Sequence, residues 1–255
     1  MPKILIDAFN LQYEIIGSGK HIVLFLPGFL GTIRSDFDAV FKNIDTTKYQ
    51  LVAWDPPGYG KSRPPDRDFY EGCLQRDASL AVKMMEKLGY ERFSVFGWSQ
   101  GGKTAVHLAA AHPTKVISLA TTGVALVFNE RLVRFFKVSK SLDCWPKDVL
   151  ANRLKVYERP YLEKLTEDMY IYAEKSAREK KQFFKDDFPR IKCPFLVMHS
   201  EKDTTVPVQL GRQLADGVEH AELHIFPEGN HNVHMTHTKE FLQVLCPFLD
   251  KHNDP

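Results

Sequence analysis

Residues 97–101 read Gly-Trp-Ser-Gln-Gly, and the serine at their centre stands where nucleophilic chemistry could be done. A serine hydroxyl is a poor nucleophile at neutral pH. It needs a base to take its proton and an acid to orient that base. Ser99 follows the apolar run RFSVFG and opens an alanine-rich helical pattern that stops before Pro113. That strand–turn–helix context separates a nucleophile elbow from a chance G-x-S-x-G. A turn this sharp brings positions 97 and 101 together, so a β-carbon at either is expected to crowd the other. Gly102, Ala105, Ala109, Ala110 and Ala111 let the helix lie close on a sheet. The competing account is a glycine-rich turn with an incidental serine.

The partners that Ser99 needs are present downstream, in the order Ser, Asp, His. Asp203 lies in FLVMHSEKDTTVP, in the loop after a late strand pattern, and is the candidate orienting acid. Glu201 is the fallback, being nearer the strand end, and Asp203 has a second reading as a turn residue capping 204–207. Ten histidines compete for the base. His231, in FPEGNHNVH directly after the last strand pattern, is the one placed to reach over a sheet edge. His234 and His237 follow at steps of three, and on a helix the three would share a face and suit a metal. No acidic or cysteine partner sits in that run, so the expected site is metal-free. Acyl transfer also needs donors for an oxyanion. The backbone N–H of Gln100 is one, and that of Phe29, in the tight LFLPGFLG loop, is the other.

These residues need a scaffold that presents strand ends along one edge. KILIDAFNLQYEIIGSG reads as two short strands joined near 7–10. HIVLFL, YQLVAWD, RFSVFG, KVISLATTG, CPFLVMHS and AELHIFP read as further strands, several apolar throughout, as strands buried on both faces are. A helix is expected from about Tyr70 to Leu88, stopped by Gly89. Strands alternating with helices predict a mostly parallel α/β sheet flanked by helices. The rhythm breaks at 126–187, which is helical in pattern, charged and rich in Phe and Tyr. We read 126–187 as a helical cap inserted in a core of 1–125 and 188–255; a long ordinary crossover is the alternative.

Bulk properties exclude several classes. A formal net charge of +2 over 255 residues gives no basic face for nucleic acid or an anionic membrane. The most apolar stretch near the N-terminus, HIVLFLPGF, is too short to span a bilayer. Four scattered cysteines without a C-x-x-C pair suggest reduced thiols in a cytosol-like compartment. A mitochondrial location would require a longer precursor that loses its leader. No cofactor is implied.

With these residues in place the chain resembles the α/β-hydrolases. WDPPGYGKSRPPDRDF is similar to the Asp-x-x-Gly-x-Gly-x-Ser loop of that superfamily, with Pro57 where an arginine is usual. More closely, VAWDPPGYGKSRPPDRDF, GWSQGG, CPFLVMHSEKD and PEGNHNVH resemble the valacyclovir hydrolase (biphenyl hydrolase-like) family. The resemblance implies an α/β-hydrolase fold and hydrolysis of α-amino acid esters by a Ser-Asp-His triad. It carries Ser99, Asp203 and His231 over as nucleophile, acid and base, with Phe29 and Gln100 as oxyanion donors.

One departure matters. That family has an aspartate after the nucleophile to read the substrate's ammonium group, and here Gln100 stands there. The N–H survives and the carboxylate is lost, so the small-molecule ester substrate need not be an amino ester. Gln100 remains the expected substrate-binding side chain, able to accept a hydrogen bond through its amide oxygen. Glu167 or Asp168 of the cap is a candidate replacement carboxylate. The leading expectation is a serine esterase. Carbon–carbon hydrolysis of dienoic diketo acids is a second, with Arg131, Arg134 or Arg153 to bind a substrate carboxylate. A ligand-binding member without turnover, as some plant hormone receptors are, is a third.

Overall fold

The computed structural model describes residues 2–253. Eight strands form one sheet: β1 (Lys3–Ile6), β2 (Phe9–Ile16), β3 (His21–Leu26), β4 (Tyr49–Trp54), β5 (Phe93–Trp98), β6 (Val116–Thr122), β7 (Phe195–Ser200) and β8 (Ala221–Phe226). Their spatial order is β1-β2-β4-β3-β5-β6-β7-β8. β1 and β2 pair antiparallel, as do β2 and β4, and every pairing from β4 to β8 is parallel. The sheet is therefore the mostly parallel α/β sheet that the alternating pattern predicts. Every residue of β5 and β7 is buried, which is why their sequences run apolar without alternation.

The helices are α1 (Ile33–Asn43), α2 (Cys73–Lys87), α3 (Gln100–Ala111), α4 (Glu130–Ser139), α5 (Lys147–Leu154), α6 (Arg159–Arg178), α7 (Val208–Asp216), α8 (Val233–Thr236) and α9 (Thr238–Lys251). One face of the sheet packs α1 and α9 through Phe37, Phe41, Phe241 and Leu245. The other packs α2, α3 and α7 through Leu80, Met84, Val106 and Leu214. The helix expected from Tyr70 begins at Cys73, because Gly72 takes a left-handed φ of 96° that a helix does not contain. Helices α1, α7 and α9 add to the two that the sequence pattern singles out.

Between β6 and β7 the described residues form α4, α5, α6 and two 3₁₀ turns, without a strand. This segment is tied to the loop after β4. The Tyr161 hydroxyl donates to Gly58 O at 2.7 Å and accepts the Arg67 N–H at 2.8 Å. The Tyr157 hydroxyl donates to Leu30 O and accepts the Gly60 N–H, both at 3.2 Å. Two buried tyrosines thus hold the helical segment over the sheet edge where β3, β4 and β5 end. No helix among the described residues is long and apolar enough to cross a membrane.

Candidate active site

β5 ends at Trp98 and α3 begins at Gln100, so Ser99 is the whole turn, with φ 53° and ψ −113°. A non-glycine residue at positive φ is strained and persists only where its surroundings hold it. The Ser99 N–H donates to Thr122 O at 2.9 Å, fixing the turn to β6. A β-carbon at Gly97 would lie 2.5 Å from Gly101 O, as the sharp turn requires. At Gly101 the reason is different: a β-carbon there would strike the carbonyls of Leu26 and Pro27, not Gly97.

His231 Nε2 lies 3.0 Å from Ser99 Oγ, and its Nδ1 lies 2.7 Å from Asp203 Oδ2. With Nδ1 protonated and donating to Asp203, Nε2 is left as an acceptor for the serine proton. Asp203 Oδ1 accepts the N–H groups of Thr205 and Val206, each at 2.8 Å. One oxygen thus caps the turn at 204–207 while the other meets His231. Burial alone would raise this carboxyl. Hydrogen bonds from His199 and His231, the His231 charge and the Val206 N–H outweigh it and hold Asp203 well below the usual carboxylate range. Glu201 points elsewhere and pairs with Arg212 at 3.4 Å on the surface.

The supporting residues are ones that sequence spacing does not reveal. His199 is fully buried, donates from Nε2 to Val206 O at 2.9 Å, and lies 3.4 Å from Asp203 Oδ2. Trp98 donates from its indole to His231 O at 2.9 Å, pinning the loop that carries His231 to the strand that leads into Ser99. His234 is buried against Trp98 and donates to Asp36 O at 3.1 Å; burial pushes its imidazole down to about 3. His237 pairs with Thr236 Oγ1 at 3.0 Å. The three histidines do not share a helical face, because His231 precedes α8 and His237 follows it. Among the described residues no group of three potential metal ligands converges.

The loop after β3 is shaped by Asp36, which is buried in α1 and accepts the Gly28 N–H at 2.9 Å. Gly28 leaves no room for a side chain: a β-carbon would sit 2.8 Å from the Trp98 ring. Leu30 then takes a φ of 60°. Phe29, between them, lines the same cleft as Ser99 and Gln100. Asp55 braces the loop from below, accepting the Ile33 and Lys61 N–H groups at 2.9 Å each.

Two clefts meet at Ser99. One is narrow and lined by Gln100, Lys103, Cys73, Phe128 and Met169. The other contains His231, Trp98, Trp145, Val149 and Arg153. No aspartate or glutamate lines either one. Glu167 pairs with Lys140 at 3.0 Å and Asp168 with Lys164 at 2.6 Å, and neither lines these two clefts. The Gln100 amide oxygen, expected to face substrate, accepts the buried Tyr59 hydroxyl at 2.9 Å. Its NH₂ end is the one left for a ligand. Two of the three candidate arginines are also engaged. Arg153 donates to Leu30 O at 2.8 Å and Arg131 to Thr204 O at 2.8 Å, while Arg131 and Arg134 line a separate, more open groove. Lys103, a turn beyond Ser99, also lines the narrow cleft. Its signal was there to read: it is the one charged residue in an otherwise uncharged helix, QGGKTAVHLAAA.

This arrangement can transfer a proton from serine to imidazole and hold an acyl group between two apolar clefts. Comparison with known proteins agrees in kind. Residues 21–169 match the model of the alpha/beta hydrolase fold family. The chain is 34% identical over 249 residues to serine hydrolase BPHL of Mus musculus, covering 97% of this chain and 85% of that protein. It is 24% identical to a 2-hydroxy-6-oxononadienedioate/2-hydroxy-6-oxononatrienedioate hydrolase of Pseudomonas sp, over 94% of this chain and 92% of that one. Among solved structures, the meta-cleavage product hydrolase of Pseudomonas fluorescens IP01 superposes with a TM-score of 0.83 at 17% identity, covering 99% of this chain and 98% of the other. The chain is a hydrolase and belongs to the α/β-hydrolase fold family.

Proposed function

We propose that the chain is a serine esterase for small carboxylic esters, working through an acyl-enzyme with 126–187 as its cap. Ser99 Oγ attacks the ester carbonyl while His231 Nε2 takes its proton. The resulting oxyanion is held by the N–H groups of Phe29 and Gln100. The tetrahedral adduct collapses, the alkoxide leaves, and His231 returns the proton to it as an alcohol. Water then attacks the acyl-enzyme, with His231 as base again, and releases the acid and free Ser99. Asp203 stays ionised throughout and stabilises the imidazolium. Because His231 must reach the leaving oxygen, the cleft that contains it takes the alcohol. The narrow cleft beside Gln100 takes the acyl group.

The observation that carries this reading is the unbroken line Ser99 Oγ–His231–Asp203, at 3.0 and 2.7 Å, on a strained elbow. A fluorophosphonate should label Ser99, and Ser99→Ala should lower kcat for a simple alkyl or aryl ester by at least about 10³-fold while remaining folded. Undiminished turnover by purified Ser99→Ala would overturn the assignment.

A second reading is hydrolysis of a carbon–carbon bond in a keto acid by the same three residues. It is supported by relatives whose names give dioate substrates, at 24% identity. A 2-hydroxy-6-oxo dienoic acid assayed beside the ester panel separates the two: the preferred class is the one with the higher kcat/KM.

A further inference from the structure

One buried cation has no part in the chemistry above. Lys103 stands four residues after Ser99 on α3 and is only 7% exposed. Lysine is among the residues costliest to bury, and a buried ammonium normally has an anion or several acceptors beside it. Here its ammonium lies 4.1 Å from the centre of the Phe128 ring and 4.0 Å from that of Phe183. Ring faces return part of the lost solvation, but they leave the three N–H donors without a conventional acceptor. Among the described residues no carboxylate forms an ion pair with Lys103 and no oxygen accepts a hydrogen bond from its Nζ. The titratable neighbour on α2 is the Cys73 thiol, itself pushed up by burial and so protonated. Burial pushes the Lys103 ammonium down to about 7.

The lysine also faces the right place. It lines the narrow cleft together with Ser99 and Gln100. Four residues along a helix is about 6 Å of rise, the reach of a short acyl chain running from the carbonyl at Ser99. Beside Ser99 stands the neutral amide of Gln100, and a turn later on the same helix stands the Lys103 amine, so the charged group in the narrow cleft is a cation.

We propose that Lys103 is a specificity residue that receives a carboxylate at the far end of the acyl group, so that the preferred esters are monoesters of short dicarboxylic acids. The proposal rests on the esterase reading, with the narrow cleft as the acyl side. A substrate carboxylate would supply the missing anion and acceptor together, restoring the charged amine and forming a charge-assisted hydrogen bond in a desolvated site.

Three benzyl esters of nearly equal size test it: monobenzyl succinate, benzyl butyrate and benzyl β-alaninate. The wild type should favour succinate over butyrate by about ten- to a hundredfold in kcat/KM, the range of a charge-assisted hydrogen bond, with β-alaninate below both. In Lys103→Met the succinate-to-butyrate ratio should fall to near one or below it. A measurement that needs no turnover accompanies this: free succinate should raise the melting temperature of wild type, and butyrate or β-alanine should not. Lys103→Met should lose that shift, and Lys103→Gln, kept as a second variant, should lose most of it. A wild type that favours butyrate or β-alaninate, or a succinate preference that survives both substitutions, would overturn the role of Lys103. Loss of the esterase reading looks different: all three esters would be inert and Ser99 unlabelled, while the succinate shift would still report on Lys103.

Discussion

Two cations are buried beside the packed helices α2 and α3, and the protein treats them in opposite ways. Arg67, in the loop after β4, donates to Asp77 Oδ2 at 2.6 Å and to Pro57 O at 3.2 Å, with both charged side chains almost completely buried. Burial, the largest influence, would lower its pKa, but the Asp77 charge and hydrogen bond together with Tyr59 and Cys73 outweigh it and raise it. Lys103, across the helix pair, has two phenylalanine faces and, among the described residues, no ion-pair partner, and burial pushes it down to about 7. A buried charge without a partner is destabilising, so a fold that needs only a cation in its core supplies its counterion. Arg67 has the signature of architecture: it holds the loop that carries Tyr59 and Gly58 against the helical segment. Lys103 has the signature of a site left open at one end.

The largest effect should come from breaking the matched pair. Asp77→Ala strands the Arg67 guanidinium and should destabilise the protein by about 3–5 kcal/mol, lowering Tm by roughly 10 °C. Replacing both members, Arg67→Met with Asp77→Leu, should recover most of that loss, because the pair's own desolvation is removed with it. Chemical denaturation of the three proteins checks this. An Asp77→Ala protein as stable as wild type would remove the contrast.

The unmatched cation should respond in the other direction, and its response should depend on pH. The Lys103 amine titrates near 10.5 unfolded and near 7 folded, so its folded pKa is depressed. Between those values the unfolded chain binds the extra proton, and this group's contribution to stability rises with pH. Its penalty is full below about pH 7 and gone above about 10.5. Lys103→Met should therefore stabilise the protein by about 2–4 kcal/mol at pH 6 and by progressively less toward pH 10. Comparing wild type with the variant at each pH cancels groups common to both. A gain that is absent at pH 6, or equal at both ends, would mean that Lys103 is better solvated than its surroundings suggest. A gain in stability joined to a loss of succinate preference would show one residue trading the first for the second.

The same contrast explains what was legible in the sequence. The inner strands could be read because burial on both faces leaves apolar runs such as HIVLFL, while β1, β2 and β8 are partly exposed and could be read from short apolar stretches between turns. Ser99, Asp203 and His231 could be singled out because each follows a strand, and a parallel sheet brings its strand ends to one edge. What could not be read is what depends on contacts between distant segments. Tyr59 and Gln100 are 41 residues apart, and nothing in either neighbourhood announces their hydrogen bond. Trp98 and His199 look like ordinary strand residues until the loops that they brace are in place. Lys103 is marked in the sequence as the one charged residue of α3, but only packing reveals that it is nearly buried and, among the described residues, has no ion-pair partner. Glu167 and Asp168 erred the other way, since composition made them candidates and they pair with Lys140 and Lys164 outside the two clefts, whereas Arg153 does line the cleft beside His231.

The smallest effect concerns Gln100, the polar group that shares the cleft with Lys103 but is held by the protein. Tyr59 donates to its amide oxygen at 2.9 Å, and Tyr59 is itself fully buried, so the amide is oriented with its NH₂ toward the cleft. Tyr59→Phe removes one neutral hydrogen bond, worth about 1 kcal/mol, and frees the amide to rotate. Either end could then meet an acyl group. The expected outcome is a fall in kcat/KM of about fivefold for short esters. Because the Gln100 N–H is fixed by the helix, the fall should appear mainly in KM and spare kcat. The succinate-to-butyrate ratio should move far less than in Lys103→Met, since an amide turned either way offers a carboxylate no charge. A Tyr59→Phe enzyme that loses the succinate preference as fully as Lys103→Met would place the anion reader at Gln100 and reduce Lys103 to a buried structural cation like Arg67.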